Sequence, residues 1–179
     1  KDSTRRLAFL PTNTKNDALN KVSASLLSRT EDIIAANKKD YAAAEANGMN
    51  KAMLDRLLLT TERIKAITID VSTIASLPDP VGEVFDMRNL PNGLTIGKKR
   101  VPLGVIGALY ESRPNVTVDG SCLCFKAGNA SILRGGKEAY YSNKILADIV
   151  KEALSDAGAP ADAIQFIDNT DRSLVKPFL

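Results

Sequence analysis

"GVIGALYESRPNVTVDG", residues 104–120, runs from an apolar stretch into a charged, proline-stiffened turn and out again into a helix-compatible pattern. The apolar run from Pro102 to Tyr110 has the character of a strand of a parallel sheet covered on both faces. Pro114 then suits the first turn of a helix, where its missing N–H would be unsatisfied anyway. The next residues repeat the sequence of elements. A helix from about Pro114 to Lys126 precedes the strand "ASILRG" (130–135), a long helix from about Lys137 to Ala157, and the strand "DAIQFID" (162–168). The spacing predicts a βαβαβ unit and hence an α/β fold with a parallel sheet.

Towards the N-terminus the period changes. Leu7, Leu10, Ala18, Val22, Leu26, Ile33 and Ile34 recur at helical spacings, and residues 4–76 read as helices. "KKDYAAAEANG" (38–48) is a second helical piece that Gly48 can end. "MLDRLLL" (53–59) is short and apolar. Thr60 or Thr61 can cap a further helix lined by Ile64, Ile67, Val71 and Ile74. The prolines of "SLPDPVGE" (76–83) end the helical region. From Val84 to about Met87 the chain reads as extended, Asn92-Gly93 is a turn signal, and "LTIGKKRV" (94–101) runs back, so a hairpin is expected. Lys98, Lys99 and Arg100 read as its solvated edge. Three units follow: helices over 1–83, the hairpin over 84–101, and the sheet over 102–179.

Composition narrows the chemistry. The 179 residues are 44% hydrophobic and 25% charged, with net charge +3 spread along the chain, which describes a globular protein without a dedicated nucleic-acid surface. No apolar run approaches the ~20 residues of a membrane span, and no leader pattern is present, so a cytoplasmic protein is expected. With no histidine there is no imidazole base and no usual zinc site; no metal is expected. Cys122 and Cys124 lie two apart in a helical stretch, pointing roughly 200° from each other, and cannot pair. They read as packed helix residues rather than nucleophiles.

Two loops sit where parallel sheets bind ligands, beyond the carboxyl ends of strands. In "YESRPN" (110–115) the free N–H groups of a helix start, the fork of Arg113 and the amide of Asn115 suit an anion or a developing oxyanion. An ordinary capped turn is the alternative. In "LRGGK" (133–137), Gly135 and Gly136 would let the backbone approach a ligand, with Arg134 ending the strand and Lys137 starting the helix. This is neither a Walker loop nor GxGxxG, and spacing leaves a nucleotide site and a plain tight turn level.

"RVPLGVIGALYESRPNVTVDG" (100–120), "CFKAGNASILRGGKEA" (124–139), "GMNKAMLDRLLLT" (48–60) and "DPVGE" (79–83) together resemble the γ-glutamyl phosphate reductase (glutamate-5-semialdehyde dehydrogenase) family of the aldehyde dehydrogenase superfamily. The resemblance covers essentially the whole chain. It implies an N-terminal helical region, an incomplete Rossmann-like βαβαβ sheet and a protruding hairpin. It also implies reduction of L-glutamyl 5-phosphate by NADPH to L-glutamate 5-semialdehyde and phosphate, the second step of proline biosynthesis, through a cysteine thioester. Glu111, Arg134, Gly135, Gly136 and Lys137 would lie along NADPH, with Arg134 suited to the extra phosphate of NADP. Arg113 and Ser112 would hold the substrate. Ser112, Arg113 and Asn115 compete for the oxyanion, with Asn115 preferred. The hairpin would serve homo-oligomerisation, and a glutamate kinase could associate. Family members are much longer, and their nucleophilic cysteine matches neither Cys122 nor Cys124. The chain is therefore expected to be an N-terminal portion, inactive alone, or alternatively a noncatalytic nucleotide-binding or assembly module.

Overall fold

The computed structural model describes residues 2–171, 173 and 174; residues 1, 172 and 175–179, which include the end of the expected 102–179 unit, lie outside the described residues. Five helices come first: α1 (Asp2–Ala8), α2 (Thr12–Ser28), α3 (Thr30–Ala46), α4 (Lys51–Leu57) and α5 (Thr61–Ser76). The break between the first long pieces falls at Arg29 (φ −104°, ψ 22°), earlier than the alanine-rich stretch suggested. There Thr30 Oγ1 donates to the carbonyls of Leu26 (3.3 Å) and Leu27 (2.8 Å), a local bond that competes with helix continuation. Gly48, at φ +75°, ends α3, with its N–H on Glu45 O and that of Met49 on Ala44 O, the paired bonds of a left-handed helix stop. Thr60 caps α5, accepting from Arg63 N–H at 3.3 Å.

The linker after α5 is held by charge. Lys15, fully buried on α2, donates to both Asp79 oxygens (2.9 and 3.0 Å), and Asp79 also accepts from Thr12 Oγ1 and Val81 N–H. Nearby, buried Lys126 donates to Asn16 Oδ1 and Ala75 O. The hairpin then projects as β1 (Val84–Asn89) antiparallel to β2 (Thr95–Lys99), with every residue of both strands exposed. Asp86, at the irregularity between Phe85 and Arg88, pairs with Lys98 at 2.8 Å.

The sheet follows as β3 (Val105–Leu109), α6 (Asn115–Lys126), β4 (Ala130–Arg134), a 3₁₀ turn at Lys137–Ala139, α7 (Tyr140–Asp156) and β5 (Ile164–Phe166). Its strands are parallel in the order β3-β4-β5. Both crossovers step the same way, so right-handed connections put α6 and α7 on one face. There Leu133, Val118, Phe125, Leu146 and Ile149 join Leu19 and Val22 of α2 and Ile64 and Val71 of α5 in one core. A smaller cluster of Ala44, Leu54, Leu57 and Ala139 lies where α3, α4 and the 3₁₀ turn meet.

β3 departs from its reading as a strand covered on both faces. It is an edge strand whose residues alternate between exposed and half-buried, and Val105 (51%) and Leu109 (41%) remain open. They share register with Ala130 and Arg134, opposite to the Ala108–Leu133 row that meets the helices. Among the described residues no helix is long and apolar enough to cross a membrane.

Candidate functional site

The loops after β3 and β4 meet side by side, with Tyr110 N–H donating to Arg134 O at 3.1 Å. Above them opens a groove of about 1530 Å³, walled on the sheet side by Glu111, Arg134, Gly136, Lys137 and Glu138 and opposite by Asn47 and Met49 of the α3–α4 connection and Met53 of α4. A smaller hollow of about 280 Å³ adjoins it, lined by Met53, Arg56, Glu111, Ser112 and Arg113. Six of the eight residues expected from sequence thus line these two hollows, which share Met53 and Glu111 in their walls.

Their individual positions are more particular. Arg113 is exposed, and among the described residues its guanidinium has no partner; its backbone N–H donates to Glu111 O at 2.6 Å. Ser112 is buried, and its Oγ donates to Glu138 Oε1 at 2.8 Å. Asn115 lines neither hollow: its Nδ2 donates to Asp119 Oδ2 at 3.0 Å, one turn down α6. Arg134 Nη2 donates to the carbonyls of Thr170 (3.2 Å) and Asp171 (3.0 Å), while its buried Nε has no partner among the described residues. Lys137 is exposed at the start of the 3₁₀ turn. A Cβ at Gly135 would come within 2.0 Å of Asn143 Nδ2, and one at Gly136 within 2.1 Å of Glu138 Oε1, so a side chain at either position would require its neighbour to shift.

A buried polar scaffold supports the loops. Tyr110 and Thr117 share a 2.7 Å hydroxyl contact, and Thr117 donates to Asn143 Oδ1 at 3.0 Å. Burial pushes the Tyr110 phenol up to about 12, so it stays protonated at neutral pH. Asp40 of α3 accepts from the N–H groups of Tyr141 (3.1 Å) and Ser142 (2.7 Å) and from Ser142 Oγ (2.6 Å), capping α7 from another helix. Burial raises the Asp40 carboxyl above its ordinary range despite those bonds, and Glu138 adds to the rise. Asn37 donates to Leu57 O and Ser142 Oγ and accepts from Leu59 N–H, tying the same point to the end of α4.

Glu138, Asn143, Asp40, Asn37 and the α3–α4 connection were not singled out from sequence. A signal existed for two of them: Ile33, Asn37, Asp40 and Ala44 fall on one buried stripe of α3, where two polar residues occupy apolar positions. Cys122 is 1% exposed, and burial, then Asp119, pushes its thiol up; burial raises the half-buried Cys124 as well. Neither lines the groove. Among the described residues no group of three or more His, Cys, Asp or Glu could hold a metal ion.

No family model matches the sequence. A γ-glutamyl phosphate reductase of Dehalococcoides mccartyi is 55% identical over all 179 residues, which cover 42% of that relative. The crystal structure of γ-glutamyl phosphate reductase from Thermotoga maritima superposes with a TM-score of 0.93 at 41% identity, over 97% of this chain and 42% of that one. A probable aldehyde dehydrogenase from Listeria monocytogenes shares the fold at a TM-score of 0.70 and 15% identity, over 96% of this chain and 35% of that one. The chain thus spans about two fifths of the length of the relatives it matches. Over those 179 residues it is similar, in sequence and in fold, to γ-glutamyl phosphate reductases, and it shares its fold with an aldehyde dehydrogenase.

Proposed function

We propose that the groove holds a nicotinamide dinucleotide, NADPH, and that the Arg113 hollow takes the phosphate end of L-glutamyl 5-phosphate, in a cytoplasmic reductase that releases L-glutamate 5-semialdehyde and phosphate. The observation that carries this reading is the convergence of two strand-end loops on a groove bordered by Arg134 and Lys137 and, beside it, a hollow lined by Arg113. Its volume exceeds the ~300–1,000 Å³ of ordinary small-molecule sites, in keeping with a ligand the size of a dinucleotide. The relatives that carry the enzyme's name support the choice of substrate.

The donor set fits such a ligand. Arg134 ends a strand beside the paired glycines, and its fork suits a phosphate on the adenosine ribose. When bound, the cofactor supplies the hydride. Arg113, exposed and without a side-chain partner among the described residues, balances charge on the departing phosphate. Ser112 and Asn115 already donate to Glu138 and Asp119, which leaves Arg113 the freest of the three candidates for an oxyanion. The attacking thiol of this chemistry would come from outside the present chain, since neither cysteine lines the groove. The exposed hairpin offers a surface for homo-oligomerisation, and an associated glutamate kinase would deliver the acyl phosphate directly.

In the intact natural polypeptide, Arg113→Ala should reduce acyl-phosphate turnover about tenfold or more while NADPH affinity changes little. Arg134→Ala should chiefly weaken NADPH. Equal loss of both functions in each variant would refute the division of roles. A second reading, a noncatalytic nucleotide-binding or assembly module, draws on the two cysteines lying off the groove; saturable NADPH binding with no turnover by the intact polypeptide would favour it.

A further inference from the structure

Glu138 stands between the two loops of the groove and belongs to neither ligand role assigned above. Its Oε1 accepts from Ser112 Oγ at 2.8 Å, and Ser112 is buried in the loop that leaves β3. Its carboxylate lies flat against Gly136 in the loop that leaves β4: a Cβ there would meet Oε1 at 2.1 Å, Cδ at 2.6 Å and Oε2 at 2.7 Å. The carboxylate thus occupies space that a side chain at position 136 would fill. Glu138 also follows Lys137 directly, in the turn that presents that cation to the groove. A carboxylate beside cations that are to receive an anionic ligand works against that ligand's binding unless it does something else.

We propose that Glu138 is a positioning residue: through Ser112 Oγ and Gly136 it clasps the β3–α6 and β4–α7 loops into one register, so that Arg113 and Lys137 face the same ligand. The proposal rests on the reading of the groove as a nucleotide and acyl-phosphate site, but its mechanical part does not depend on which ligand binds. Ser112 then acts on the substrate indirectly, by holding the clasp.

The test has two arms. Amide hydrogen exchange on the unliganded protein reads the clasp itself. In Glu138→Ala, exchange should quicken in both 111–116 and 135–139, and Glu138→Gln, which keeps an acceptor oxygen, should restore most of the protection in both. Acceleration confined to 135–139 would overturn the clasp, whatever the enzyme does. The second arm, in the intact polypeptide, follows KM and kcat. Ser112→Ala and Glu138→Ala should each raise KM about tenfold, the scale of one hydrogen bond to a charged group. The double variant should be no worse than either single, because both remove the same contact. Gly136→Ala, which drives a methyl into the carboxylate, should reproduce the defect. Full multiplication of the Ser112 and Glu138 effects would refute the coupling, as would a Gln variant as impaired as Ala. An unsubstituted protein without turnover would count against the functional reading alone, leaving the exchange arm to decide the clasp.

Discussion

At Gly135 and Gly136 the sequence suggests backbone approach to a ligand, whereas the structure gives these glycines another duty. Side chains of the protein itself occupy the space: the Asn143 amide at one, the Glu138 carboxylate at the other. Paired glycines are visible in a sequence; the residue pressing on each, eight positions away in the case of Asn143 on Gly135, is not. The same limit applies to Asn115, whose amide looked available until Asp119 was found one turn below it. Gly135→Ala isolates the steric point. Asn143 is fully buried and bonded to Thr117, so it cannot yield freely to a methyl group. The variant should lose about 1–3 kcal/mol of stability, the usual scale of overpacking, measured by urea unfolding, with a weaker NADPH site. Unchanged stability would mean that the Asn143 amide can swing aside.

Between elements, the helices, the hairpin and the three strands were legible because each carries its own period or turn signal. The ties between them were not. Lys15 stands among the polar residues of α2, yet it is fully buried on Asp79, far along the chain in the proline-bounded linker. Only the fold brings such partners together. Burial works against the Asp79 carboxylate, but its bonds from Lys15, Val81 N–H and Thr12 outweigh it and hold its pKa below the ordinary value of 3.8. A carboxyl with a lowered folded pKa contributes stability that is present above 3.8 and fades as pH falls through the folded value. Asp79→Ala should therefore be destabilised by roughly 3 kcal/mol near neutrality, because Lys15 is left buried and unpaired. The gap in Tm between wild type and Asp79→Asn should be widest above about pH 4 and narrow below it. A gap independent of pH would show that packing, not the ion pair, holds the linker.

For the molecule as a whole, the βαβαβ order was readable from alternating periods, but the exposure of β3 was not. An apolar strand carries no mark that says whether both its faces will be covered; that depends on the direction in which the crossovers step. The hairpin is the converse case, detached in sequence and exposed along both strands. Arg100 N–H already donates to Glu83 O at its base, so residues 84–99 can be replaced by a short Gly-Ser link. Far-UV circular dichroism should then show the fold retained, while sedimentation should show self-association reduced. Loss of the fold would mean that the hairpin supports the body rather than its assembly.

The bonds that cap α7 from Asp40 have a consequence in time. They join residues 101 and 102 positions apart, so this end of α7 cannot be completed by local contacts and must wait for a distant helix to arrive. α4 and α5 can begin from caps of their own at Asn50 and Thr60. A chain emerging from synthesis would then own most of its helices before it owned a groove. Recognition is the last property this fold acquires, and the first it gives up when α3 and α7 part.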